Sequence, residues 1–220
     1  MMDDRCPQNL EEIVRSLTDR HPDLIACEPD IRAAAALLAG SFKAGKKLLV
    51  CGNGGSAADS EHVVGELMKS FRFKRPVDGG FSAAYREANG EDAPGWLEGA
   101  LPAISLVSQT SLSTAFANDE SAVGVFAQQV YGYGEDGDVL LAISTSGSSA
   151  NVVEAAKVAR AKKVRVVSLT GARASVLSAL SDACVRVPAT ETFEVQELHL
   201  PVYHALCAAV EAELFGGRDA

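Results

Sequence analysis

Short apolar runs alternate with amphipathic stretches along most of the chain. The apolar runs predict buried strands at Lys46–Cys51, Pro102–Val107, Asp138–Ser144, Val164–Leu169 and Ala183–Val187. The amphipathic stretches predict helices at Glu11–Arg20, Asp30–Ala44, about Ser56–Ser70, Leu112–Phe116, Ser121–Tyr131, Asn151–Lys162, Ala174–Leu180 and Gln196–Phe215. Strands that alternate with helices at this spacing predict an α/β fold with a doubly wound parallel sheet.

The pattern divides the chain into N-terminal helices and one larger unit. Residues 1–45 are expected to pack on a domain formed by residues 46–220, with Asp30 capping the second helix. Residues 72–99 are polar, rich in Gly and Pro, and predict a long excursion with a helical turn near Ala83–Ala88. The first and last helices carry more apolar residues than one sheet face would bury, which predicts a helix bundle between subunits.

Two loops of small residues follow predicted strands, where open α/β sheets bind their ligands. The first, Gly52–Ser56, lacks the spacing of a dinucleotide fingerprint or of a P-loop. The second carries four hydroxyl side chains around Gly147: Ser144, Thr145, Ser146 and Ser149. Because hydroxyls and helix N-termini donate hydrogen bonds to anions, this loop predicts a site for a phosphate or a sugar phosphate.

A set of metal-ligating residue types lies in two predicted helices. His62 and Glu66 are four residues apart, which places both side chains on one helix face. Gln196 and His204 lie in the last helix, where Pro201 is expected to interrupt the helix. They would be about 12 Å apart along an ideal helix. Gln196 and His204 would reach one ion only if the helix is distorted or begins late, or if different subunits supply the two residues. For His62 and Glu66 the alternative is an exposed pair on a helix surface that binds no metal.

Composition narrows the classes of partner. Twenty basic and 29 acidic residues give a net charge of -9, which argues against a nucleic-acid coat or a polybasic membrane binder. No apolar run approaches the roughly 20 residues of a membrane span, and Met1–Arg5 lacks a signal core. The five cysteines are scattered without a CxxC pair, which predicts a cytoplasmic protein. A basic cluster is either solvated or steers phosphate: Lys69, Arg72, Lys74 and Arg75.

Several of these segments resemble one known family. Ile143–Ser149 (ISTSGSS), between a strand and a helix, resembles the signature of the sugar-isomerase (SIS) domain. Three other groups of residues resemble the phosphoheptose isomerase branch of that family: Cys51–Ser56 (CGNGGS) with His62 and Glu66, Asn118-Asp119, and Gln196–His199 followed by His204. The resemblance extends over nearly the whole chain.

The resemblance implies a flavodoxin-like sheet in a homotetramer with active sites between subunits. It implies an aldose–ketose isomerase that converts sedoheptulose 7-phosphate to D-glycero-D-manno-heptose 7-phosphate through an enediol, with Glu66 and His204 as acid–base residues. Zinc is the implied cofactor, with ligands at His62, Glu66, Gln196 and His204. The implied substrate contacts are Asn53, Gly54, Gly55, Ser56, Glu66, Asn118, Asp119, Ser144, Thr145, Ser146, Ser149 and Gln196.

Two other functions within the SIS family stay open. One is a non-catalytic protein, similar to the relative that binds a replication initiator, and the other is a sugar-phosphate sensor. The chain carries all four implied ligands, which favours the enzyme over the non-catalytic protein. Residues 1–45 contain no basic helix of the kind that recognises DNA, which argues against the sensor. The longer segment 72–99, Ser70 in place of an arginine, and Glu194 in place of a basic residue leave the exact sugar phosphate open.

Overall fold

The computed structural model describes residues 9–216. Residues 1–8 and 217–220 lie outside the described part, so the prediction made from the Met1–Arg5 segment and the position of Cys6 are not part of this description. Within residues 9–216, no helix combines the length and the apolar character that crossing a bilayer requires.

Five parallel strands form one sheet in the order β2-β1-β3-β4-β5. The strands are β1 (Leu48–Cys51), β2 (Ala103–Ser105), β3 (Val139–Ile143), β4 (Arg165–Thr170) and β5 (Ala183–Arg186). All residues of β1 and β3 are buried, as expected for a sheet covered by helices on both faces. This strand order is the flavodoxin-like one, which confirms the predicted fold class.

Helices cover the two faces of the sheet. They are α1 (Leu10–Arg20), α2 (Glu28–Lys43), α3 (Gly55–Met68), α4 (Gly79–Asn89), α5 (Thr110–Phe116), α6 (Val125–Tyr133), α7 (Ala150–Ala161), α8 (Val176–Leu180) and α9 (Thr192–Phe215). Leu48 and Val50 of β1 pack in a core with α1, α2, α3 and α9. Leu49 and Cys51 point to the opposite face and pack with α6, α7 and α8.

The N-terminal helices and the last helix bury most of their apolar residues within a single chain. Ile13, Leu17 and Ile31 belong to the same core as Leu206 and Val210. Most of these residues therefore do not need a helix bundle between subunits, because α1, α2, α3 and α9 cover one another and one sheet face; Leu200 stays exposed.

Two predicted helix boundaries are wrong for local reasons. Helix α2 begins at Glu28, with Cys27 at the N-cap, so Asp30 lies in the first turn and does not cap the helix. Helix α6 begins at Val125, because the extended backbone of Ser121 separates it from a preceding π-helical turn at Ala117–Ser121. A short 3-10 turn joins the two.

Helix α9 continues through Pro201, although the sequence analysis predicts an interruption there. A proline inside a helix costs about 3 kcal/mol. Burial offsets this cost, since α9 buries Pro201 itself and almost every residue from there to Ala212. Packing along the whole helix therefore outweighs the local preference of one residue.

The excursion at residues 72–99 contains a full helix in place of the predicted turn. Helix α4 is capped at its start by Asp78, which accepts a hydrogen bond from the Phe81 N–H, and at its end by Gly90 in the left-handed region. An isolated antiparallel bridge between Pro76 and Glu98 closes the base of the excursion. No residue of α4 is buried, so this helix stands outside the core.

Candidate active site

The loops after β1 and β3 lie side by side at the carboxyl edge of the sheet. Strands β1 and β3 are neighbours, with Cys51 paired to Ala142. After β1 the chain enters α3 on one face of the sheet, whereas after β3 it enters α7 on the other face. Such a reversal opens a crevice where doubly wound sheets bind their ligands. The two loops that the sequence analysis selected form this crevice.

Paired amides join the first loop to the start of α7. Asn53 and Asn151 exchange two Nδ2–H to Oδ1 hydrogen bonds, each 2.9 Å long. Gly54 has a φ of 58°, which favours glycine, and it forms the N-cap of α3. Ser56 is buried beneath this loop, whereas Asn53, Gly54 and Gly55 are exposed.

The second loop arranges its hydroxyls at the N-terminus of α7. The Ser144 and Ser149 hydroxyls are 3.0 Å apart, and Ser146 is exposed. Gly147 has a φ of 62°, and a Cβ there would lie 2.1 Å from the Ser175 hydroxyl, so only glycine fits. Because the first N–H groups of a helix lack intrahelical acceptors, this arrangement can bind an anion.

Three ligating side chains meet further along α3. His62 Nε2 lies 3.1 Å from Glu66 Oε1 and 3.3 Å from His204 Nε2. One ligand atom from each of the three residues lies within 4.8 Å of the others. We call these residues the His–Glu–His cluster. All three belong to one chain, because α3 packs on α9, so the alternative in which α3 of one subunit meets α9 of another is wrong for this cluster.

The chemistry of the His–Glu–His cluster fits a metal ion. A carboxylate oxygen and a neutral imidazole nitrogen both carry lone pairs, so three such atoms in contact need a proton or a cation between them. Two imidazoles and one carboxylate are a ligand set of catalytic zinc sites, which keep a further position open. Burial, and secondarily the neighbouring His62, lowers the pKa of His204, which favours the neutral form that binds metal.

Gln196 lies at the loops and is not brought to the cluster. A Cβ placed on Gly55 would lie 2.6 Å from the Gln196 Nε2, so the amide covers the start of α3. His62 is seven residues further along α3, which is about 10 Å at 1.5 Å per residue. The uninterrupted α9 likewise keeps Gln196 about two turns from His204.

Asn118 and Asp119 lie on the turn that follows α5. Both are exposed on the π-helical turn before α6, and the Asn118 amide donates to Asp119 Oδ1 at 2.8 Å. This turn belongs to the layer of α6 and α7, whereas the cluster lies on α3 and α9. Among the described residues, no hydrogen bond or ion pair joins Asn118 or Asp119 to the His–Glu–His cluster.

A buried ion pair supports the end of α3, and the sequence analysis missed it. Arg75 donates to the carbonyls of Leu67 and Glu66 at 2.7 and 3.1 Å and to Glu211 Oε1 at 2.7 Å. Glu211 also accepts from the N–H groups of Phe71 and Arg72. Both charged side chains are fully buried. Arg75 is thus part of the core and not of a solvated cluster. The available signal in the sequence was Glu211, an acid that directly follows the apolar run Ala205–Val210 of α9.

A cleft beside His204 gives access to the cluster. Arg20 of α1 and Arg72 line it together with Phe71. Glu66 Oε2 accepts a hydrogen bond from Lys69 at 3.1 Å. Cationic side chains around this opening suit an anionic substrate.

The comparisons with known proteins agree on one family. The SIS domain family matches residues 15–94 and 95–171 of the chain. The phosphoheptose isomerase of Rhodospirillum rubrum is 40% identical over 188 residues, covering 86% of this chain and 88% of the relative. The phosphoheptose isomerase of Thiobacillus denitrificans is 41% identical over 197 residues, covering 88% of each chain.

Solved structures show the same fold. The phosphoheptose isomerase of Neisseria gonorrhoeae superimposes with a TM-score of 0.69 at 32% identity, covering 91% of this chain and 94% of that one. The phosphoheptose isomerase of Francisella tularensis gives a TM-score of 0.68 at 28% identity, covering 91% and 93%.

Proposed function

The chain belongs to the SIS domain family and is an isomerase, and from this premise we propose that it interconverts sedoheptulose 7-phosphate and D-glycero-D-manno-heptose 7-phosphate. The observation that carries the proposal is the His–Glu–His cluster, two of whose residues lie on α3, the helix that begins at the crevice of the two loops. The relatives named above are phosphoheptose isomerases, which favours this function over a non-catalytic binder or a sensor.

The hydroxyl loop is proposed to hold the phosphate. Ser144, Thr145, Ser146 and Ser149 surround the N-terminus of α7, and Asn53 closes the crevice through its bonds to Asn151. Hydrogen bonds to a charged phosphate are stronger than those between neutral groups. Phosphate binding at one end of the sugar would orient the reacting carbons at the other end.

The cluster is proposed to move the protons. Isomerisation transfers a proton between adjacent carbons and requires proton exchange at the two oxygens. Glu66, a partly buried carboxylate, would take the carbon proton, and His204 would act at the oxygens. General acid–base catalysis of this kind is worth about 10²–10⁴ in rate.

Zinc is the proposed cofactor. His62, Glu66 and His204 would hold it, and when bound it would polarise the carbonyl of the sugar. Gln196 as a fourth ligand stays a prediction, since its amide lies at Gly55 in the structure.

We also propose a homotetramer. Phe193 and Leu200 of α9 and Met68 of α3 are large apolar side chains that stay exposed beside the site. Asn118 and Asp119 make no hydrogen bond to the cluster within the described part of one chain, and we propose that they contribute through another copy. Light scattering should give about four times 23.0 kDa, and a monomeric mass would contradict the assembly. The cytoplasmic location and the lack of nucleic-acid and membrane partners stay predictions.

The substrate is tested by product analysis. Zinc-loaded protein is incubated with sedoheptulose 7-phosphate, and NMR follows the appearance of an aldoheptose phosphate. Fructose 6-phosphate and unphosphorylated sedoheptulose serve as controls for chain length and for the phosphate. Equal or faster conversion of the six-carbon substrate would contradict the proposed seven-carbon specificity.

A further inference from the structure

A tyrosine and an aspartate contact the side of His62 that faces away from the cluster. The Tyr203 hydroxyl lies 3.0 Å from His62 Nδ1 and 3.2 Å from Asp59 Oδ1. Tyr203 is buried, and its ring meets the His62 ring edge-on with the centroids 5.5 Å apart. Asp59 lies one turn before His62 on α3, whereas Tyr203 directly precedes His204 on α9.

Counting protons determines which way these hydrogen bonds run. A phenol has one proton, and an ionised carboxylate can only accept. A phenol has an ordinary pKa of about 10, so it keeps its proton at neutral pH. If Tyr203 donates to Asp59, the phenol oxygen accepts from His62, and Nδ1 of His62 carries the ring proton.

The opposite arrangement leaves two acceptors in contact. If Tyr203 donated to His62 Nδ1, the phenol oxygen would face Asp59 Oδ1 at 3.2 Å without a proton between them, unless the acid were protonated. Asp59 Oδ2 is buried and has no hydrogen-bond partner among residues 9–216, so the Tyr203 bond to Oδ1 is the hydrogen bond that stabilises this carboxylate. With a cation between His62 Nε2 and Glu66 Oε1, the first arrangement leaves no two acceptors in contact, whereas the second still leaves the phenol oxygen against Asp59.

We propose that Asp59 and Tyr203 are positioning residues that hold His62 as its Nδ1–H tautomer. The Nε2 lone pair of His62 then points to Glu66 and His204, in the form that a metal ion requires. Hydrogen bonds to the second nitrogen of a ligating histidine commonly set its tautomer, and their loss weakens metal binding by about 10–100-fold. We call the chain of hydrogen bonds from Asp59 through Tyr203 to His62 the relay. It rests on the proposed function only in assuming that the cluster binds a divalent cation.

NMR of the full chain tests the tautomer directly. With 15N-labelled histidine and just enough zinc to saturate the wild type, long-range proton–nitrogen spectra should show His62 protonated at Nδ1. In Asp59→Ala the phenol can donate to Nδ1 instead, so at the same zinc concentration part of the His62 signal should change to the metal-free Nε2–H tautomer. Tyr203→Phe keeps the ring packing but removes the relay, and the two tautomers should become mixed. A role in packing alone would not reverse the tautomer.

Zinc affinity is the second measurement. Competition with a chromophoric chelator should show about 10–100-fold weaker zinc binding in Asp59→Ala and Tyr203→Phe. The control is Tyr131→Phe, since Tyr131 is an exposed tyrosine on α6, and it should bind zinc like the wild type. Melting curves confirm that each variant is folded, and either variant suffices if the other does not fold.

The outcomes separate this inference from the proposed function. An Nε2–H tautomer in the wild type, or unchanged tautomer and zinc affinity in both variants, would overturn the relay even if the enzyme is active. The expected tautomer shifts and zinc losses, together with no conversion of sedoheptulose 7-phosphate, would support the relay and contradict the proposed substrate.

Discussion

Replacing Glu211 by glutamine should strongly destabilise the protein while changing almost no volume. The carboxylate is fully buried and accepts from Arg75 and from the N–H groups of Phe71 and Arg72. Glutamine offers one acceptor oxygen in place of two and puts an NH₂ group against donors. It also leaves the buried guanidinium of Arg75 without its counter-charge.

The magnitude follows from the burial of the pair. Removing one partner of a buried ion pair costs about 3–5 kcal/mol. For a chain of this length each kcal/mol lowers the melting temperature by about 2–4 °C, so the variant should melt about 6–20 °C lower. Arg75 also binds the Glu66 carbonyl, so we expect kcat to fall even at temperatures where the variant is folded.

Urea unfolding followed by circular dichroism measures the cost. The protein concentration is held constant, because assembly makes apparent stability depend on it. Glu213→Gln is the matched control: Glu213 lies two residues further along α9 and pairs with Lys43, but both side chains are half exposed. Such a surface pair is worth about 1 kcal/mol or less. If both variants lost the same stability, the buried pair would not support the end of α3 as argued.

Two further predictions concern the phosphate loop and a buried histidine. Ser146→Ala combined with Ser149→Ala should raise KM for the sugar phosphate at least tenfold, because each hydrogen bond to a charged group is worth about 1.5–3 kcal/mol. Ser148→Ala is the control and should leave KM unchanged. An unchanged KM in the double variant would place the phosphate elsewhere. Burial lowers the pKa of His199 to about 4, while the backbone of Thr170 offsets part of the effect. As the pH falls, the unfolded chain therefore binds a proton at His199 before the folded chain does, and the free energy of unfolding should drop by roughly 3 kcal/mol between about pH 6.5 and pH 4. Urea unfolding of His199→Leu should no longer show that drop. An unchanged pH profile in the variant would contradict the assignment.

The strands and the two loops could be predicted because their signals are local. The LLVC run of β1 and the VLLAI run of β3 are apolar throughout, and at that length such runs favour strands that are covered on both faces. The small residues that follow each run lie at the crevice because parallel strands end at one edge. Local chemistry and topology therefore lead to the same place.

The support of the site could not be predicted because its partners are far apart in the chain. Arg75 and Glu211 are 136 residues apart, and Arg75 sits among other basic residues that suggest a solvated segment. The intrachain contact of His62 with His204 likewise depends on α3 packing beside α9, which no local pattern encodes. The interruption predicted at Pro201 is wrong because the prediction used only the local preference of proline, and the burial of α9 outweighs that preference.

The most direct test of the central claim compares two glutamates on α3. Glu66→Gln should lower kcat for sedoheptulose 7-phosphate by about 10²–10⁴, because it removes the base at the cluster. Glu61→Gln serves as the control, since Glu61 is exposed and accepts only from the Ser108 hydroxyl among the described residues. NMR follows conversion by both variants, with melting curves to confirm folding. A folded Glu66→Gln variant that turns over substrate as fast as Glu61→Gln would show that the His–Glu–His cluster is not the reaction centre.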